Sequence, residues 1–183
     1  MPRTKPNIII TGTPGVGKTT LCESLTGTTD LKHLAINRVA KERECHAGWD
    51  DALNSWVVDE DKILDAIENE VRQGGYLIDW HACDLFPESW IDLVIVLRSN
   101  STTLYDRLKA RNYPEQKLQE NMDAEIMEVL LDEAREAFQA ELVVELQSNT
   151  SEDMEGNASR IETWVGQWTH ERCHEAAPDT HNP

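Results

Sequence analysis

"NIIITGTPGVGKTT", residues 7–20, decides the fold. An apolar run breaks into a turn rich in glycine, and Gly12, Gly17, Lys18 and Thr19 satisfy the spacing G-x-x-x-x-G-K-[ST]. Residues 7–11 read as a buried strand and a helix begins near Lys18, so the pattern sits in the context that gives it meaning. Such a loop turns backbone N–H groups inward around phosphate oxygens, while the helix behind it presents the positive end of its dipole. In that arrangement Lys18 reaches the β- and γ-phosphates of ATP as a point charge. Thr19 offers its hydroxyl to Mg²⁺, and Thr20 lies one residue on, in reach of the α-phosphate.

Outward from this loop, further apolar runs suited to parallel strands recur at 33–36, 76–79, 92–97 and 142–146. Helical patterns separate them. Ile63, Leu64, Ile67 and Val71 share a face of a helix starting near Asp59 and ended by Gly74 and Gly75. Leu104 and Leu108 stripe a helix over about 101–110, and Met122, Ile126, Val129, Leu130, Ala134, Ala137 and Phe138 mark one longer helix. Ile161, Trp164, Val165 and Trp168 fall at i, i+3, i+4 and i+7 of a last helix, whose tryptophans are expected to pack onto the sheet layer. Alternating strands and helices imply an α/β three-layer fold with a parallel five-stranded sheet and its ligands beyond the carboxyl ends of the strands. One domain over 1–168 accommodates all of this, and residues 169–183, which lack apolar periodicity, are expected to form a disordered tail.

Seventeen Lys and Arg against 34 Asp and Glu give a net charge of −17, which repels nucleic acid and favours basic partners. Direct, unspecific nucleic-acid binding is therefore not expected. Cys22, Cys45, Cys83 and Cys173 form no C-x-x-C pair and no charged-then-apolar leader precedes the first strand, which points to a reduced, intracellular protein. No stretch approaches the roughly 20 apolar residues of a membrane span.

Three clusters add chemistry to the phosphate loop. In "YLIDWHACD" (76–84), Asp79 ends an apolar run as a Walker-B-like carboxylate for the metal. His81 lies two residues on, on the same side of an extended chain, where it can orient or deprotonate water; a histidine bonded into the sheet rim is the plainer alternative. Cys83 makes an H-x-C with it, too little for zinc. In "LYDRLKARNYPEQK" (104–117), Arg107 and Arg111 stand four apart on a helix, before a loop expected to serve as a short lid over 110–120. Between the second strand and the Asp59 helix, the insertion 35–58 carries Arg38, Lys41, Trp49 and Trp56. There an acceptor nucleotide can bind and stack, although closure of the insertion explains the tryptophans equally well. His33 and His46 fit no pattern.

Together "TGTPGVGKTT", "DWHACDLFPESW" and "LYDRLKARNY" resemble the adenylate kinase isoenzyme 6 family, also described as coilin-interacting nuclear ATPases, over roughly residues 7–168. The resemblance implies a P-loop nucleoside triphosphate hydrolase fold of the nucleoside monophosphate kinase type with a short lid. It implies ATP-phosphate contacts at Gly12, Gly15, Gly17, Lys18, Thr19, Thr20 and Arg111, an Asp-x-His pair at Asp79 and His81 linked with hydrolysis, and Mg²⁺ on Thr19 and Asp79. AMP phosphorylation and ATP hydrolysis are both implied, with Lys18, Arg107 and Arg111 stabilising the moving phosphoryl group and Arg38 and Lys41 receiving the acceptor. So are action in nucleus and cytoplasm, maturation of the pre-ribosomal small subunit, and a basic ribosomal protein as partner. Two departures stand out: Lys41 occupies a position where the family usually has arginine, and no lysine stands near Thr150, close to the expected adenine site. An ATPase switch or a nucleotide-dependent chaperone are the competing readings.

Overall fold

The computed structural model describes residues 3–50 and 55–175. Strand β1 (Ile8–Thr11) feeds the phosphate loop and helix α1 (Lys18–Thr28). Then come β2 (Lys32–Ala35), α2 (Ile36–Glu42), β3 (His46–Asp50), β4 (Ser55–Val58), α3 (Glu60–Val71) and β5 (Tyr76–Asp79). The second half holds β6 (Leu93–Arg98), α4 (Ser101–Ala110), α5 (Glu115–Ile126), α6 (Val129–Ala137), β7 (Val143–Gln147) and α7 (Ser151–Glu175). Five strands form one parallel sheet in the order β2-β5-β1-β6-β7, which puts β1 and its loop at the centre.

Alternation along β1 divides the core. Ile9 faces one side with Ile63, Ile67 and Val71 of α3 and Leu131 and Ala134 of α6. Ile8 and Ile10 face the other with Leu21 and Leu25 of α1, Leu104 and Leu108 of α4, and Ile161 of α7. Each of these side chains is fully or nearly fully withdrawn from water, a gain of about 1.5–3 kcal/mol for each Val, Leu and Ile before chain entropy is charged. Trp164 and Val165 of α7 pack on the second cluster, as their spacing predicts, whereas Trp168 does not join it and lies under the Arg172 guanidinium at 5.2 Å. Asn7 staples the opposite end of the sheet. Its Nδ2 donates to the carbonyls of Val71 (2.6 Å) and Trp90 (2.8 Å), and its Oδ1 accepts from Tyr76 N (3.2 Å).

Caps set the helix starts. Asp59 accepts from Lys62 N at the head of α3, and Asn100 accepts from Thr103 N at the head of α4. Three expectations need correction. The long helix over 122–138 is two helices, because Glu128 sits in the left-handed region at φ 57° and leaves Ile126 and Met127 in solvent. The segment 110–120 is mostly helical: only Arg111–Pro114 forms the turn, and α5 begins at Glu115. Finally, α7 runs on to Glu175, so 169–175 belong to a helix; residues 176–183 of the expected tail lie outside the described residues. The insertion 35–58 contains α2 and the antiparallel β3–β4 pair, neither expected from the sequence. No described helix is long and apolar enough to cross a membrane.

Candidate active site

The site is built where β1 ends. Gly12 adopts φ 138°, and a Cβ there would stand 2.5 Å from the Leu97 carbonyl oxygen, so the chain cannot turn beneath β6 with any other residue. Gly15 and Gly17 also lie at positive φ within the loop, and Gly17 caps α1. Lys18 folds back over this loop, its Nζ donating to the carbonyls of Gly12 (2.7 Å) and Thr13 (3.3 Å). Burial lowers its pKa from 10.5 to about 8, opposed by the nearby Asp79 carboxylate and reinforced by the charge of Arg111. Both hydrogen-bond acceptors of this ammonium are main-chain carbonyls, so a phosphate placed there would give it a directly bonded anion.

Thr19 and Asp79 meet as the sequence predicts: the Thr19 hydroxyl donates to Asp79 Oδ2 over 2.6 Å. His33 adds a second donor to the same oxygen, Nε2 to Oδ2 3.2 Å. Burial pushes the Asp79 carboxyl upward, yet the hydrogen bonds from His33 and Thr19 and the Lys18 charge outweigh it and hold the group below the usual carboxylate range. Asp79 therefore stays ionised. One hydroxyl and one ionised carboxylate are hard oxygen donors of the kind Mg²⁺ takes, alongside water and phosphate oxygens, so Thr19 and Asp79 fit that ion. Bound there, Mg²⁺ would supply charge neutralisation to the phosphates of ATP.

His81 stands just past the end of β5 at the surface of the crevice. Its carbonyl accepts from Thr11 Oγ1 (2.9 Å) and its ring lies 4.3 Å from that of Trp80. Partial burial, then the charge of Lys18, lowers its pKa below 6.5 and keeps the imidazole neutral, the form a general base needs.

Arg107 and Arg111 part company. The Arg107 guanidinium donates to the carbonyls of Gly15 (3.3 Å), Ser148 (2.8 Å) and Asn149 (3.2 Å), clasping the phosphate loop to the turn before α7. Arg111 ends α4, exposed at the turn into α5, with its charge felt at Lys18. Of the expected pair, only Arg111 is an open cation facing the phosphate region. Arg38 and Lys41 both project into solvent from α2, Arg38 touching the His33 carbonyl (3.3 Å). Thr20 is exposed on the first turn of α1. Trp49 is half exposed on β3, and the side chain of Trp56 lies outside the described residues.

Sequence reasoning missed Glu125, on the last turn of α5 and 4% exposed. Its Oε2 accepts from Thr13 of the phosphate loop (2.5 Å), and its Oε1 accepts from Arg98 Nε (2.8 Å) and Ser99 N (3.0 Å). Nothing in the spacing of 122–138 singled it out.

Among solved structures, the fold is similar to a shikimate kinase from Acinetobacter baumannii in complex with shikimate, at TM-score 0.63 and 16% identity, covering 90% of this chain and 95% of that one. A gluconokinase from Sinorhizobium meliloti 1021 is similar at TM-score 0.55 and 14% identity over 96% of this chain and 100% of that one. A family described as an AAA domain matches residues 8–128. Fold and site together define a P-loop kinase. The chain is 51% identical over 166 residues to an adenylate kinase isoenzyme 6 homolog of Schizosaccharomyces pombe, covering 91% of this chain and 95% of the relative. It is 50% identical over 164 residues to the adenylate kinase isoenzyme 6 homolog FAP7 of Saccharomyces cerevisiae, covering 89% and 83%. It belongs to the adenylate kinase isoenzyme 6 family, whose substrate is ATP.

Proposed function

We propose that this chain is a broad-specificity nucleoside monophosphate kinase that moves the γ-phosphoryl group of ATP to AMP and, with the acceptor site empty, passes it to water. The observation that carries the reading is the convergence of Lys18, Thr19 and Asp79 at the mouth of the phosphate loop. Lys18 leaves the loop carbonyls to hold the β- and γ-phosphates, and Arg111 adds a second cation as the turn Arg111–Pro114 folds down as a lid. Residues 35–58 receive the acceptor, with Arg38 and Lys41 as its phosphate contacts. Arg107 orders the loop rather than touching the moving group. A phosphoryl group passes in line from the ATP oxygen to an AMP oxygen, and the geometry of both nucleotides carries most of the acceleration. His81, held neutral, takes the proton of an attacking water in the hydrolytic reaction.

We further propose that these activities serve maturation of the small ribosomal subunit, including its rRNA processing, in nucleus and cytoplasm, through a basic ribosomal protein on the pre-ribosomal particle. The net charge of −17 supports such a partner, since opposite charge speeds encounter. A second reading, an ATPase switch or a nucleotide-dependent chaperone with a negligible kinase role, is favoured by the neutral His81 at the crevice.

One assay separates them. ADP formation that requires added AMP supports the kinase, while phosphate release unaffected by AMP supports the switch. Partner capture that ignores Lys18→Ala supports the chaperone, and capture that ignores salt counts against the charge argument.

A further inference from the structure

Beside the phosphate loop stands a donor set that shares Asp79 with the magnesium site but adds a thiol and an imidazole that magnesium chemistry does not use. Cys22 lies one turn beyond Lys18 on α1, His33 on β2 and Asp79 at the end of β5; their ligand atoms all fall within 4.8 Å of one another. His33 Nε2 is 3.2 Å from Asp79 Oδ2. Cys22 is fully buried, and the His33 and Asp79 side chains keep 13% and 9% of their surface. We propose that Cys22, His33 and Asp79 form a site for a borderline-soft divalent cation, zinc above all, which closes the nucleotide site by taking Asp79 away from it.

The chemistry selects the ion. One sulfur, one imidazole nitrogen and one carboxylate oxygen make a three-protein-ligand zinc set, with a fourth position left for water or a phosphate oxygen. Mg²⁺ has no use for a thiolate, whereas Zn²⁺ and Co²⁺ do. Ligand atoms around tetrahedral zinc sit roughly 3.3–3.8 Å apart, from bond lengths of about 2.0–2.3 Å, so the trio needs to contract by about 1.5 Å at most. Charge balances as well: dication, thiolate and carboxylate sum to zero in a poorly solvated place. As the metal–sulfur bond forms the thiol proton leaves to solvent, and the imidazole proton moves from Nε2 to Nδ1 so that Nε2 can donate its lone pair.

The consequence is competition. Asp79 Oδ2 is the same oxygen that Thr19 holds at 2.6 Å, so a zinc-bound Asp79 is lost to Mg·ATP. The metal site stands on the three side chains alone; its inhibitory effect rests on the nucleotide reading above.

Cobalt titration of the full-length chain reads the site directly, because thiolate ligation gives a sulfur-to-cobalt charge-transfer band. His170 and His174, whose Nε2 atoms are 3.0 Å apart on α7, can also take a cation, but they give no such band. The band is expected in wild type and in Cys173→Ala, and is expected to vanish in both Cys22→Ala and Cys22→Ser, neither of which offers a sulfur. Zinc is expected to inhibit ATP turnover competitively with Mg·ATP, and Cys22→Ala to raise the half-inhibiting zinc concentration roughly 10- to 100-fold. Absence of the band in wild type, or its survival in Cys22→Ala, overturns the site. Equal zinc inhibition of wild type and Cys22→Ala overturns the inhibition by this route. A band intact in a chain with no ATP turnover upholds the metal site and removes the nucleotide reading instead.

Discussion

Replacing Glu125 tests whether the phosphate loop and the lid helix are one mechanical unit. Glu125 is buried on α5, and its two oxygens accept from Thr13, Arg98 and Ser99 N, while its own carbonyl accepts from Arg98 Nη2 (2.9 Å). Glu125→Ala leaves the Ser99 N–H and a guanidinium that is 12% exposed without their buried acceptor. Removing one partner of a buried ion pair costs about 3–5 kcal/mol. Glu128 (3.2 Å) and Glu145 (3.5 Å) still neutralise Arg98 from more exposed positions, which brings the expectation to the lower end, about 3 kcal/mol. For a domain of this length that corresponds to a melting temperature lower by roughly 6–12 °C. Glu125→Gln keeps the volume and one acceptor and is expected to lose about half as much. Urea denaturation followed by the fluorescence of the six tryptophans measures both. A double-mutant cycle with Thr13→Val isolates the contact to the loop, expected to couple by about 1 kcal/mol. If Glu125→Ala falls within about 0.5 kcal/mol of wild type, the network contributes nothing and the linkage of lid helix to loop is wrong.

The remaining predictions concern the site itself. Lys18→Ala is expected to abolish phosphoryl transfer and hydrolysis together, and turnover at wild-type rate in that variant ends the assignment of the loop. Lys18→Met is expected to stabilise the nucleotide-free chain at pH 7. With the folded pKa lowered to about 8 and the unfolded one near 10.5, the unfolded chain binds the proton more tightly, so the penalty is full below pH 8 and fades toward pH 10.5. Melting temperatures of variant and wild type at pH 7 and pH 10 check this, the gap narrowing at the higher pH. His81→Gly is expected to impair hydrolysis more than AMP phosphorylation; because the folded pKa lies below 6.5, the acid limb of wild-type hydrolysis should also fall below pH 6.5 and disappear in the variant. Equal loss of both activities refutes the division of labour. Asp79→Asn keeps an acceptor for Thr19 but removes the charge, so calorimetry should show Mg·ATP binding weakened far more than binding of metal-free ATP.

The parts of the site that could be seen in sequence are those whose chemistry forces a local pattern. The loop was legible because a cradle of amides requires glycine at Gly12, Gly15 and Gly17 and a lysine at fixed distance from them. Asp79 was legible because a carboxylate ending a buried run has few other uses. His33 carried no such signature: it meets Asp79 only because β2 pairs with β5 in parallel, Ala35 against Asp79 and His33 against Leu77, which puts both side chains on one face and one step apart. That neighbourhood depends on strand order, and strand order is absent from any local window. The β3–β4 pair hid for a different reason, since "HAGWD" (46–50) contains a glycine and an exposed tryptophan instead of a clean apolar alternation. The break between α5 and α6 turns on Glu128 accepting a positive φ, which no apolar periodicity reports.

Arg107 shows how a correctly located residue can still be assigned the wrong work. A cation four residues before Arg111 on α4 is well placed by sequence for transferring phosphate, but its five N–H donors find three main-chain carbonyls, and a guanidinium so engaged is a structural bond. With Glu125 it brackets the phosphate loop. Arg107 holds Gly15 from α4, Glu125 holds Thr13 from α5, and the turn Arg111–Pro114 lies between those two helices. If that turn closes over bound nucleotide as proposed, the movement pulls on both anchors of the loop. Lid position and the shape of the phosphate cradle are then one variable, and a change that loosens either anchor should alter nucleotide affinity and turnover together.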